Sequence, residues 1–200
     1  MLVVAMACGN LQTYKIGDGE VVVSELGDSI VQVGTIFKSI SISETMIALC
    51  TDEGLAFAEM RSDLSLNFRP HMSILPDRMV RSGVYLKENL VMIADFDRPG
   101  YIVVDCKTRQ TLYTIDETNE ANKECLKIES VPFFDYNTLP YVLSLTATGL
   151  HLINVKVKKS FMLRAGKFKD FDFQLFGELN DPVARLIYAE VLPDGRHVVE

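Results

Sequence analysis

The chain contains no tryptophan and only three histidines. His71, His151 and His197 stand far apart, none at the spacing of a metal pair and none beside a catalytic partner. There is no G-x-S-x-G elbow, no Walker loop and no H-E-x-x-H helix. Hydrolases built on a nucleophile elbow, P-loop nucleotidases and zinc proteases are thereby excluded. No catalytic residue, no metal ligand and no cofactor is expected. Cys8, Cys50, Cys106 and Cys125 form no C-x-x-C pair, which removes the usual zinc and dithiol motifs. They read as small buried hydrophobes. Cys125, in a polar segment, is the candidate for an exposed thiol.

Positive charge is also scarce. Lys and Arg number 20 against 27 Asp and Glu, for a net charge of −7 and a pI near 5.0. Nucleic acids and anionic membranes select basic surfaces, so neither is an expected partner. No apolar run reaches transmembrane length. The opening MLVVAMACGN has no basic leader, so it reads as a buried strand rather than a secretion signal. No Asn-x-Ser/Thr sequon occurs. A cytoplasmic protein is expected. With 200 residues, 48% hydrophobic and 24% charged, the composition is that of a globular protein. Residues 1–200 read as a single domain without an internal linker.

What the chain does have is a repeat. Apolar segments run into short turns that end at Asn10, Gly54, Gly100 and Gly149, spaced by 44, 46 and 49 residues. After each turn comes a five-residue strand: LQTYK, LAFAE, YIVVD and LHLIN, closing on Lys15, Glu59, Asp105 and Asn154. Before each turn lies a nearly continuous apolar run, such as TMIALC or LVMIA, the pattern of a strand buried on both faces. A further strand follows in KTRQTLYTID and KVKKSFMLRAG, and another precedes the run in VGTIFKSISIS, SGVYLKEN and SVPFFDYN. The unit is four antiparallel strands in about 45 residues, the period of a propeller blade. The one helical segment expected is ETNEANKECLKI, residues 117–128.

VVDCKTRQTLYTI resembles the strand–turn–strand end of a WD repeat, with Val104 at the place of the family's Trp and Asp105 at that of its Asp. Near the C-terminus, VARLIYAEVLPDGRHVVE resembles the family's first hairpin, with Pro193-Asp194-Gly195 as the tight turn. The chain lacks the family's Gly-His pair as well as its Trp, so the resemblance is to a diverged WD-like propeller or a citron-homology relative. That resemblance implies an all-β protein of propeller blades: about three complete blades and parts of two more. It also implies a non-catalytic scaffold that binds other proteins within a multi-protein assembly. Three arrangements account for the blade count: a piece of a longer propeller, a small four-bladed ring, or a ring completed by a partner or second copy. Open edges would favour self-association.

Propeller function is carried by connections rather than by strands. Three are long: residues 61–83, 116–130 and 164–182. The last holds Phe168, Phe171, Phe173 and Phe176 beside Lys167 and Lys169. These six residues are the candidate partner site; the alternative is that the phenylalanines pack on the adjoining blade or form its first strand. Residues 156–169 carry six Lys or Arg and no acid, either as an acidic-partner contact or as a solvated blade edge that blocks pairing. Asp95 and Asp97, in ADFDRPG, are the only candidates for a ligand-binding, Ca²⁺-binding or catalytic propeller. At that strand end a carboxylate also serves simply to cap the turn.

Overall fold

The structure is a computed structural model. Its described residues are 2–5, 10–16, 21–22, 31–32, 37–42, 45–62, 66–68, 74–76, 78–87, 89–95, 100–116, 125–131, 141–178 and 181–199. Among them there is no helix, and the chain is all-β.

The strands form five antiparallel sheets, each made from strands consecutive in sequence. The first holds β1 (Leu2–Ala5), β2 (Asn10–Ile16), β3 (Val21–Val22) and β4 (Val31–Gln32). The second runs β5 (Phe37–Ile42), β6 (Met46–Thr51), β7 (Gly54–Met60) and β8 (Leu66–Phe68). The third runs β9 (Val80–Lys87), β10 (Leu90–Asp95), β11 (Gly100–Asp105) and β12 (Gln110–Asp116). The fourth runs β13 (Lys127–Ser130), β14 (Tyr141–Thr146), β15 (Gly149–Asn154) and β16 (Lys159–Ala165). The fifth has β17 (Phe168–Glu178), β18 (Asp181–Val191) and β19 (His197–Val199).

The third sheet is apolar on both faces, and this sets the packing. Side chains alternate across a strand. In β10 and β11, Val91, Ile93, Ile102 and Val104 gather with Ala48, Cys50, Leu55 and Phe57 of the second sheet. Met92, Ala94, Tyr101 and Val103 gather with Ile128, Val142 and Ile153 of the fourth. Register keeps the two sets apart, since Val91 pairs with Val104 and Met92 with Val103. The first strands of the second, third and fourth sheets are neighbours: β9 packs against β5 on one side and β13 on the other. Glycine makes this approach close, because a Cβ on Gly83 of β9 would lie 2.7 Å from Cys50 Sγ. The fourth sheet presents Leu143, Leu145 and Leu150 to Phe168 and Phe171 of the fifth.

The turns repeat in chemistry as well as in spacing. Thr51 Oγ1 donates to the Gly54 carbonyl at 2.8 Å and accepts the Glu53 N–H at 3.1 Å. Thr146 Oγ1 does the same with Gly149 and Thr148, at 3.2 and 3.3 Å. Gly54 and Gly149 close these turns with φ of +111° and +154°, in the region that disfavours a Cβ. The polar residue that ends each half-buried strand has a matching role. Asp105 Oδ1 accepts the N–H groups of Lys107 at 2.8 Å and Thr108 at 3.1 Å, and Arg109 then takes φ +60°. Asn154 Oδ1 accepts from Val157 at 3.1 Å, and Lys158 takes φ +56°. The Asp105–Lys107 bond makes an Asx turn, and Asn154 holds its turn from one residue further. The Thr108 and Lys107 N–H groups outweigh desolvation and hold the Asp105 carboxyl below the usual carboxylate range.

Four expectations shift. Residues 127 and 128 stand in β13, so the helix expected over 117–128 does not reach its end; residues 117–124 lie outside the described residues. That strand, with Ile128 inward, opens the fourth sheet ahead of the expected SVPFFDYN, of which only Ser130 and Val131 are described. The connection 61–83 holds β8 and a bridge between Leu55 and Ile74, as well as the start of β9. The stretch 164–182 is mostly the eleven-residue β17, so VARLIYAEV follows a strand instead of opening its sheet.

Between the third and fourth sheets, Tyr101 Oη donates to Ser144 Oγ at 2.7 Å, and Cys125 Sγ lies 3.3 Å from the same oxygen. Tyr113 Oη and Ser160 Oγ are buried with no hydrogen-bond partner among the described residues. Two tyrosine-to-phenylalanine changes should therefore move stability in different directions. Tyr101→Phe orphans a buried hydroxyl network and should cost about 1–3 kcal/mol, whereas Tyr113→Phe removes an unmet hydroxyl and should be neutral or stabilising. Urea midpoints of the two variants check this; equal losses would contradict the assigned bonding.

Candidate interaction surface

The expected Phe/Lys site does not form one surface. Phe168 and Phe171 are buried at 6% and 2% exposure, within the cluster that joins the fourth and fifth sheets. Their spacing of three would put them on opposite faces of a regular strand. A β-bulge at Lys169 resets the alternation: Phe168 pairs with Glu190, Asp170 with Ala189 and Phe171 with Tyr188. Phe168 meets Tyr188 edge-on at 5.3 Å and Phe171 meets Phe173 at 5.9 Å. Phe173 is half-buried at the margin of the same cluster. Phe176 pairs with Val183, and its side chain lies outside the described residues. Lys167 and Lys169 are exposed.

One lysine the sequence reading passed over fastens this interface. Lys127 of β13 donates to Asp170 Oδ1 at 2.9 Å and to the Phe171 carbonyl at 2.6 Å, with its ammonium 4.6 Å from the Phe171 ring centre. Partial burial would lower the Lys127 pKa, but the Asp170 hydrogen bond and the charges of Glu129 and Asp170 outweigh it and raise it. For Asp170, burial is likewise outweighed by the Lys127 contact and the Phe171 N–H, and its carboxyl is held low.

The thiols are interior. Cys50, Cys106 and Cys125 are buried, so Cys125 is not the exposed thiol that its polar surroundings suggested. Burial pushes Cys125 up to about 11 and Cys106 up to about 12. Cys8 lies outside the described residues. His151 is buried within 3.4 Å of Thr148 Oγ1, while His197 is exposed and His71 lies outside the described residues. Asp95 ends β10 opposite Val80; its side chain, and Asp97 entirely, lie outside the described residues. Among the described residues no group of three or more His, Cys, Asp and Glu could hold a metal ion. No helix among them is long and apolar enough to cross a membrane.

Three exposed apolar residues stand in a row on β16. Phe161, Met162 and Leu163 are 50%, 48% and 51% exposed. β16 ends the fourth sheet, with β15 on one side and no described strand on the other. Phe161 pairs with Leu152 and Met162 with His151, so the two point to opposite faces; Leu163 is the extra residue of a bulge. The sequence signal was the break in alternation within KKSFMLRA, three apolar residues in a row in a strand otherwise polar. A shallow cleft of about 230 Å³ also opens between the second and third sheets, lined by Phe57, Glu59, Asn67, Cys106, Lys107 and Arg109 among others.

No protein-family model matches the chain, and no curated protein matches it significantly.

Two measurements follow. Phe171→Ala should lower stability by about 3–5 kcal/mol, as for a large buried aromatic, whereas Lys169→Ala should change it by less than about 0.5 kcal/mol. Native Cys50, Cys106 and Cys125 should resist a thiol reagent until urea unfolds the chain. Because folding raises the Cys125 and Cys106 pKa values from 9.0 to about 11 and about 12, the folded state holds the proton more tightly. Their contribution is complete below pH 9 and is lost as pH climbs through 11 to 12. A urea midpoint that rises with pH over that window would contradict the burial of these thiols.

Proposed function

We propose that this chain is built of diverged WD-type β-propeller blades and serves as a non-catalytic protein–protein interaction scaffold in a cytoplasmic multi-protein assembly. The observation that carries the reading is the repeated unit itself. Four-stranded meanders follow one another, their first strands lie side by side, and their turns are built alike at Thr51 and Thr146 and at Asp105 and Asn154. A stack of such blades presents edges and turns to partners while its strands are consumed in packing. Several buried polar groups are engaged in the packing too. Thr51 and Thr146 bond within turns, and Ser82 accepts the Ile128 N–H at 3.1 Å across the sheet boundary. Ser144 bonds to Tyr101. Polar side chains so engaged hold strands together.

The test has two parts. Cross-linking of the tagged full chain in cell extract, read by mass spectrometry, should give partner links that vanish when the chain is first heat-denatured. A chain that sediments alone and yields no such links would count against the scaffold. A thermal-shift series with Ca²⁺ and small metabolites should be flat. An upward shift would favour the ligand-binding alternative at Asp95 and Asp97, since saturation at 100-fold over Kd adds about 2.7 kcal/mol.

A further inference from the structure

We infer that β16 is a docking edge for an extended acidic segment of a partner protein, which adds to the fourth sheet as a fifth strand. This rests on the scaffold reading and names its contact. Three features meet on this strand. The first is its place: β16 is the last strand of its sheet, so one row of its backbone N–H and C=O groups faces away from β15. Strand addition uses that row for affinity and the alternating side chains for choice of partner.

The second is apolar exposure where an outer strand has no structural use for it. The matching strand of the preceding sheet, β12, carries Thr111, Leu112, Tyr113 and Thr114, of which only Leu112 is a large exposed hydrophobe. By register Ser160, Phe161 and Met162 of β16 hold the places of Thr111, Tyr113 and Thr114, Leu163 is a bulge residue as Leu112 is, and Phe161, Met162 and Leu163 are all about half exposed. Because Phe161 and Met162 lie on opposite faces, a strand laid along this edge would cover part of each, which a partner resting on one face could not do.

The third is charge. From His151 to Lys169 there is no acid, although the chain carries −7 overall. Lys156, Lys158 and Lys159 are exposed before the apolar centre, and Arg164 and Lys167 after it. Arg164 is met by Glu190 at 3.0 Å, and Lys158 lies over the Tyr113 ring at 4.2 Å. Charge complementarity selects the occupant. A second copy paired edge to edge through β16 would bring lysines against lysines, which costs stability. A segment with an apolar middle and acids at both ends meets Phe161–Leu163 with the first and the flanking cations with the second.

The probe is a fluorescein-labelled peptide, Glu-Glu-Val-Thr-Val-Ile-Glu-Glu, with a counterpart in which Lys replaces each Glu, read by anisotropy against the full chain. The acidic peptide should bind saturably in the micromolar range, more weakly as salt rises, and the lysine peptide should not. Lys156→Glu/Lys159→Glu should weaken acidic-peptide binding at least about tenfold, and so should Phe161→Ser/Leu163→Ser. All four side chains are exposed, so urea midpoints should stay within the wild-type range and exclude misfolding as the cause. Absence of saturable binding, equal binding of both peptides, or full binding by either variant would overturn the inference. So would a concentration-dependent dimer abolished by Phe161→Ser/Leu163→Ser, which would make a second copy the occupant. Partner cross-links that persist in the edge variants would leave the scaffold standing without this edge; their absence from the wild-type chain would remove the scaffold instead.

Discussion

The burial of one sheet between two others is the constraint from which the rest follows. In β10 and β11 every residue from Val91 to Ala94 and from Tyr101 to Val104 is buried, with Val91, Ile93, Ile102 and Val104 facing one neighbour and Met92, Ala94, Tyr101 and Val103 the other. A sheet apolar on both faces is unstable in water alone, so its neighbours are part of its fold. The second and fourth sheets supply those faces. The fourth is covered in turn through Leu143, Leu145 and Leu150 by the phenylalanines of β17.

Such a stack needs its strands returned quickly and in register, because a slip of one residue would exchange the two faces. The threonines and glycines of the tight turns do this at one end of the sheets, and Asp105 and Asn154 do it at the other. The sheet boundaries add polar fasteners within the apolar layers: Ser82 to Ile128, Tyr101 to Ser144, and Lys127 to Asp170 and Phe171. Each spans two sheets, so each depends on how the sheets are placed, and none of them is local in sequence.

What is left over after packing defines the surface. The phenylalanines of 168–173 are spent on the interface, and their neighbouring lysines remain outside. On β16 the balance is reversed: the strand's own sheet is satisfied through β15, and Phe161, Met162 and Leu163 remain at the margin among cations. An edge of this composition is protected from its own copies by like charge and open to acidic strands. Selectivity of this kind comes from repulsion as much as attraction.

Much of the fold was legible in the sequence because it is local. The turns at Gly54, Gly100 and Gly149, the alternating strands after them and the continuous apolar runs before them follow from side-chain periodicity and turn chemistry, which act over a few residues. The hairpin around Pro193-Asp194-Gly195 was legible for the same reason. β13 was missed because Lys127–Ser130 is short and follows a polar stretch of good helix formers; pairing with β14 decides it. The use of Phe168 and Phe171 could not be read from spacing, since a bulge at Lys169 changes which face they take. Cys125 looked exposed from its polar neighbours and is interior because Ser144, 19 residues on, comes to meet it. The sequence by itself determined where strands begin and turn, since that is local stereochemistry. Only the tertiary structure decided which apolar residues are core and which are left on an edge, because burial depends on sheets brought together from distant parts of the chain.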